Sequence, residues 1–252
     1  MYTTPKRLID HLEEAPFTLC MSSGFFGFYA HGGMLEALLE SGLRPQRLVG
    51  SSAGALVGGC VAAGVDIETL REVLFTIDRH AFWDPAPGVG LLRGERMDAL
   101  LREVLPVTDI AALPTPWACS AWSLRTRKTA VLDRGDAVHA IRASAAFPGM
   151  FQPVRIEKDW YLDGGIADRP GFEGLAPQER TLYHHLSTRS PWRRKGQLTH
   201  PSVDEHTFIL DLGAFRRLSP FSMSAGAAVY QEAKERTLRA LASPYVALGR
   251  SA

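Results

Sequence analysis

An α/β fold with helices on both faces of the sheet is predicted for this chain, on three observations. A short apolar strand runs through a glycine turn into a helix, and the same unit follows directly behind it. Strand-like and helical stretches then keep alternating down the chain. The last of them, over 223–242, is an amphipathic helix with Tyr230, Ala233, Thr237 and Leu241 on one face.

The elements follow in order. "FTLCMSS" (17–23) is a buried strand running into the loop "GFFGFYAHGG". "MLEALLESG" sets Leu35, Leu38 and Leu39 at helical spacing, with Gly42 as the stop. "QRLVG" (46–50) is the second strand, and 53–64 carries Leu56, Val57, Cys60 and Val61 on one helical face. Helical periodicity returns at 67–77 and 94–105, separated by the loop "WDPAPGVG". Strands are expected at 117–124 and 128–133, a helix at 136–146, and a strand ending in a turn at 159–165. "TLYHHLS" and "HTFILDLG" read as the later strands.

Composition narrows the class. The chain has 252 residues, 46% of them hydrophobic, and neither a repeat nor a low-complexity linker, so residues 1–252 are expected to form one domain. A net charge of +1 argues against a nucleic-acid binder, which would be strongly basic. Cys20, Cys60 and Cys119 are odd in number and far apart, with no metal-ligand spacing and no disulfide framework, which fits a reducing compartment. The N-terminal "MYTTPKRLIDHLEEAPF" has no long apolar run, so no secretory signal is expected. No stretch approaches the ~20 apolar residues of a membrane span. A cytoplasmic location is the expectation.

The chemistry concentrates in three glycine-rich turns. Gly50-Ser51-Ser52-Ala53-Gly54 fits the Gly-x-Ser-x-Gly elbow in one frame only, because Val49 and Ala53 stand where a Ser51-centred motif would need glycine. Ser52 is thus the candidate nucleophile, against the alternative of a serine capping the helix that starts at Ala53. The loop Gly24-Phe25-Phe26-Gly27 also opens a helix, so it reads either as a source of amides for an oxyanion or as a structural turn. Asp163-Gly164-Gly165 ends a strand, and its carboxylate would be a usable base once desolvated, or else a plain Asp-Gly turn. None of the eight histidines carries a motif; His184 and His185 are the candidates if a histidine serves as base.

Taken together with "ASAAFPGMFQPV" at 143–154, the three turns resemble bacterial members of the patatin-like phospholipases over about residues 17–170, with strands and an amphipathic helix following over about 180–242. The Gly-Phe-Phe-Gly loop, in place of three consecutive glycines and a basic residue, is closer to the triglyceride lipase and adiponutrin-like branch. Asp168 in "DGGIADRP" stands where asparagine is common. The resemblance implies a three-layer α/β/α fold with a mostly parallel central sheet. It also implies hydrolysis of lipid acyl esters by a Ser52–Asp163 dyad, with no metal and no cofactor. Amides of Gly24, Phe25, Phe26 and Gly27 would hold the oxyanion, and Gly50, Gly54, Gly164 and Gly165 would support the two motifs. Acyl transfer through the same acyl-enzyme, or non-catalytic lipid binding on the same fold, are the alternatives.

A lipid ester needs apolar walls near the nucleophile. Phe25, Phe26, Met150 and Phe151 flank the motifs and are the candidate acyl channel, while Phe28 and Phe147 are expected in the core. Trp192, Arg193, Arg194 and Lys195 form a basic loop tipped by an aromatic, suited either to plain solvation or to peripheral contact with anionic head groups.

Overall fold

A computed structural model of the chain describes residues 5–187 and 203–245. The basic loop Trp192–Lys195 lies outside the described residues. Among the described residues, eight strands form one sheet. Five of them run parallel in the order β3 (Trp117–Ser123), β2 (Arg47–Ser51), β1 (Thr18–Met21), β7 (Thr181–His185), β8 (Thr207–Asp211). β4 (Lys128–Leu132) and β6 (Asp159–Asp163), each antiparallel to β3, and β5 (Val154–Ile156), antiparallel to β6, complete it at the β3 end.

The sheet is the middle of three layers, and its pairing register decides which residues face which side. Leu19, Leu48, Trp117 and Leu182 stand in one row, with Met21, Cys119 and Leu210 in another on the same face. These rows pack under the helical layer of α2 (Phe28–Glu40), α3 (Ala53–Ala62), α4 (Ile67–Thr76), α5 (Glu95–Val104), α6 (Ala137–Ser144) and α7 (Gly226–Ala242). Cys20, Val49, Tyr183 and Ile209 point the opposite way. The outer layer there is thin: among the described residues it is the 3₁₀ turn Phe172–Gly174 with Leu175 and Val203.

Asp168 holds that thin layer in place. Its Oδ1 accepts from the amides of Gly171 and Phe172 at 3.0 Å each; its Oδ2 accepts from the amide of Glu173 at 3.0 Å and from the Ser120 hydroxyl. A carboxylate can accept all four, whereas an asparagine would turn an NH₂ group toward two of these donors. The acid at this position therefore serves the packing of the 171–175 segment against β3.

Beyond the short strand β5, which the sequence expectation did not include, two elements differ from it. Helix α2 starts at Phe28, six residues before Met34, and runs straight through Gly32 and Gly33. A Cβ at Gly33 would stand 2.0 Å from the carbonyl oxygen of Tyr230, so these glycines let α7 lie directly on α2; tertiary packing overrides their poor helix propensity. The second difference is α1 (Leu8–Glu13), a short helix that buries Leu8 and Leu12 in the main core. The face of α7 carrying Tyr230, Ala233, Thr237 and Leu241 is buried, as its periodicity predicts.

Candidate active site

Strand β2 delivers Ser52 at its upper end, where the chain turns directly into α3. Ser52 has φ 53° and ψ −112°, a conformation that disfavours any side chain and persists only where the surroundings enforce it. The enforcement is close backbone approach. A Cβ at Gly50 would lie 2.5 Å from the carbonyl carbon of Gly54, and one at Gly54 would lie 2.1 Å from the carbonyl oxygen of Met21. The Ser52 amide donates to Ser144 Oγ at 2.8 Å, which ties the elbow to the end of α6.

Strand β3 acts as the ruler that brings the aspartate to this elbow. Residues Trp117–Ser120 pair with β2, and Ala121–Ser123 pair with β6, which runs in the opposite direction. Ser51 faces Ser120 and Asp163 faces Ala121, so the ends of β2 and β6 meet head to head. Ser52 Oγ donates to Asp163 Oδ2 at 2.7 Å, and Asp163 Oδ1 accepts from the Gly165 amide at 2.7 Å. Cβ atoms at Gly164 and Gly165 would sit 2.2 Å from the Ser120 carbonyl oxygen and 2.3 Å from Ser23 Oγ, so glycine is what lets this turn press against both neighbours.

Asp163 is buried, and that burial raises its pKa to about 6; the hydrogen bonds from Ser52 and Gly165 act in the opposite direction and only partly offset it. Ser52 Oγ has Asp163 as its partner, and no histidine bonds to either residue among the described residues. Ser51, the other serine of the pair, has a buried hydroxyl without a partner among the described residues.

The loop Gly24–Gly27 lies between β1 and α2. The Gly27 amide closes the turn by donating to the Gly24 carbonyl at 2.8 Å, which leaves the amides of Gly24, Phe25 and Phe26 without partners among the described residues. Phe26 holds φ 55°. The chain entering this loop is clamped at every polar group of Ser22. Its amide donates to the His184 carbonyl at 3.2 Å, and its hydroxyl accepts from the Leu186 amide at 2.9 Å. Its carbonyl accepts from His31 Nε2 at 2.7 Å.

His31 and His184 form a pair that the sequence reading missed, their Nδ1 atoms 2.8 Å apart in the core. Burial pushes the His31 pKa down to about 4 and holds that of His184 well below the usual imidazole range, so both rings are neutral. A carbonyl only accepts, which assigns the His31 proton to Nε2; His184 Nδ1–H then donates to His31 Nδ1. The remaining nitrogen, His184 Nε2, is buried without a partner among the described residues. His185 Nδ1 contacts the Tyr183 hydroxyl at 3.0 Å. The two histidines that sequence offered for a triad thus serve the sheet and α2.

A cavity of about 170 Å³ opens beside Ser52 and Asp163. Phe25, Phe26, Met150 and Phe151 line it, and so do Phe28 and Phe147, which sequence had assigned to the core. Both sit at half-buried positions; Phe28 packs against the core as well as lining the cavity, while the Phe147 ring lies 5.5 Å from that of Phe25. The deeper wall comes from helices whose role the sequence did not signal: Leu56 and Cys60 of α3, Leu70 and Leu74 of α4, Leu101 and Val104 of α5. Arg142, buried at the end of α6, pairs with Asp98 at 3.0 Å and donates to the Arg93 carbonyl at 3.1 Å, holding the start of α5 in position.

The chain is similar to known proteins in sequence and in fold. A sequence profile described as patatin-like phospholipase matches residues 19–176. An uncharacterized NTE family protein of Mycobacterium tuberculosis is 35% identical over 158 residues, covering 60% of this chain and 42% of the relative. A protein of Mycosarcoma maydis named Lysophospholipase NTE1 is 27% identical over 169 residues, 64% of this chain and 9% of its own length. The chain thus spans less than half the length of these curated relatives. Among solved structures, VipD from Legionella pneumophila superposes with a TM-score of 0.67 at 14% identity, over 91% of this chain and 67% of that one, a likeness of fold.

Proposed function

The chain belongs to the patatin-like phospholipase family, and on that premise we propose that it is a lipid hydrolase that cleaves carboxylic esters of phospholipids or acylglycerols through Ser52 and Asp163. The observation that carries this reading is the 2.7 Å hydrogen bond from Ser52 Oγ to a buried carboxylate, made at the polar end of an otherwise apolar cavity.

The acyl chain lies in the cavity between α3, α4 and α5, which brings the ester carbonyl to the elbow. Asp163 takes the proton of Ser52 as Oγ attacks the carbonyl carbon. The oxyanion that forms is met by the amides of Gly24, Phe25 and Phe26, together with that of Ala53 at the start of α3. Asp163 passes its proton to the departing alkoxide, leaving an acyl-enzyme. A water then gives its proton to the same carboxylate and attacks the acyl carbon, and collapse returns the proton to Ser52 Oγ. A pKa raised by burial suits this cycle, since the carboxylate is ionised at neutral pH yet more basic than an ordinary aspartate.

The test is turnover of a short-chain aryl ester and of a phospholipid by Ser52→Ala and Asp163→Asn. Each substitution is expected to lower kcat by about 10³ or more. Full activity in either variant rules out the dyad.

A further inference from the structure

Contiguous exposed apolar patches are scarce on a soluble surface unless they meet something, and four large exposed apolar side chains here, Phe25, Val89, Leu91 and Phe221, lie on segments tied to the cavity wall. Phe25 is 47% exposed while also lining the cavity. Val89 is 79% and Leu91 50% exposed. Their segment is laced to the cavity rim, the Leu91 amide donating to the Gly149 carbonyl at 3.0 Å and the Leu92 amide to the Met150 carbonyl at 2.7 Å. Phe147, in the same rim, has its ring 5.5 Å from that of Phe25. The third part is Phe221, 74% exposed, with its ring 6.2 Å from Trp83, which directly follows the cavity-lining Phe82.

Cations accompany the apolar groups. The Arg79 guanidinium lies 5.5 Å from the centre of the Phe221 ring. Arg216 and Arg217, on the loop that leads to Phe221, are exposed and have no carboxylate partner among the described residues. An apolar tip such as Phe221, with Arg79 against its ring and exposed arginines on its own loop, matches the boundary of a bilayer, where rings enter the acyl region and guanidinium groups meet phosphates.

We propose that this rim, formed by Phe25, Val89, Leu91 and Phe221 with Arg216 and Arg217, is a docking surface for an anionic lipid bilayer. The proposal rests on the acyl-hydrolase reading for its purpose. A lipid tail drawn from a bilayer seated on the rim passes into the cavity without crossing water. The exposed pair of arginines supplies its preference for negative head groups.

Sedimentation with vesicles tests it, using the Ser52→Ala chain so that binding is read without turnover and survives if the hydrolase reading fails. Vesicles of a phosphatidylcholine–phosphatidylglycerol mixture are expected to bind more tightly than phosphatidylcholine alone. Arg216→Gln with Arg217→Gln should lower binding to the mixture roughly 30-fold, the combined weight of two surface cations. Phe221→Ser should weaken binding to both vesicles, and Phe221→Trp should keep it. In the otherwise wild-type enzyme the same arginine and Phe221 substitutions should leave turnover of a soluble short-chain ester unchanged. Equal binding to the two vesicle types overturns the proposal, as does unchanged binding in these variants. An equal loss on the soluble ester would also overturn it, by assigning the residues to the fold or the catalytic site.

Discussion

At the scale of single residues, Asp163 combines two opposed demands. Its pKa of about 6 against an ordinary 3.8 means that the folded state binds a proton more tightly than the unfolded chain does. Below pH 4 both states are protonated and the group is neutral in its effect. Between those values stability falls as pH rises, and above pH 6 the whole penalty is present, on the order of 3 kcal/mol for two pKa units. Asp163→Asn should therefore be more stable than wild type at pH 7 to 8 and lose that advantage toward pH 4, as measured by denaturant unfolding across pH. Under the proposed mechanism the same ionisation sets the pH profile: kcat/KM for a soluble ester should rise with pH to a plateau, bending at about pH 6 and falling about tenfold per unit below it. A profile governed by a histidine with an ordinary pKa would also bend near neutrality, so the discriminating variant is His184→Gln with His185→Gln, which should leave the bend where it is. The frame of Ser52 could be read directly, since glycine spacing is a local property of the chain. The basicity of Asp163 could not, because it comes from burial by residues distant in sequence.

At the scale of elements, the loop that opens α2 owes its shape to a side chain one turn inside that helix. His31 fixes the Ser22 carbonyl, and the amides of Gly24, Phe25 and Phe26 follow directly from that point. His31→Leu removes the staple and should lower kcat by roughly tenfold or more with KM little changed, since a misplaced oxyanion donor is felt in the transition state. His31→Gln can donate to the Ser22 carbonyl and accept from His184, and should restore most of the loss; equal defects in both variants would contradict the staple. Most elements were legible: strands β1, β2 and β3 and helices α3 to α7 lie where periodicity sets them, within a few residues at each end. The start of α2 was not, because Gly32 and Gly33 weaken a helix locally and are tolerated only where α7 lies against them. Nor was the meeting of β2 with β6. It depends on β3 changing partners midway, from Ser120 to Ala121, which no local pattern encodes.

At the scale of the whole molecule, the sheet carries the polar chemistry at one edge of a cavity and three helices supply its apolar depth. Cys60 lies eight residues from Ser52 along α3, about 12 Å at 1.5 Å per residue. Filling that depth with Cys60→Phe should reduce turnover of long-chain esters while sparing short-chain ones; equal effects on both would contradict an acyl chain running along α3. The candidate channel was legible only at its mouth, where the phenylalanines flank the motifs. Its inner wall comes from α4 and α5, whose apolar faces look in sequence like ordinary core. The central claim, a Ser52 nucleophile activated by Asp163, is tested most directly by mass spectrometric mapping of the adduct formed with a fluorophosphonate ester. One adduct on Ser52, formed far more slowly in Asp163→Asn, is the predicted result. No adduct, an adduct on another residue, or labelling of Asp163→Asn at the wild-type rate would contradict it.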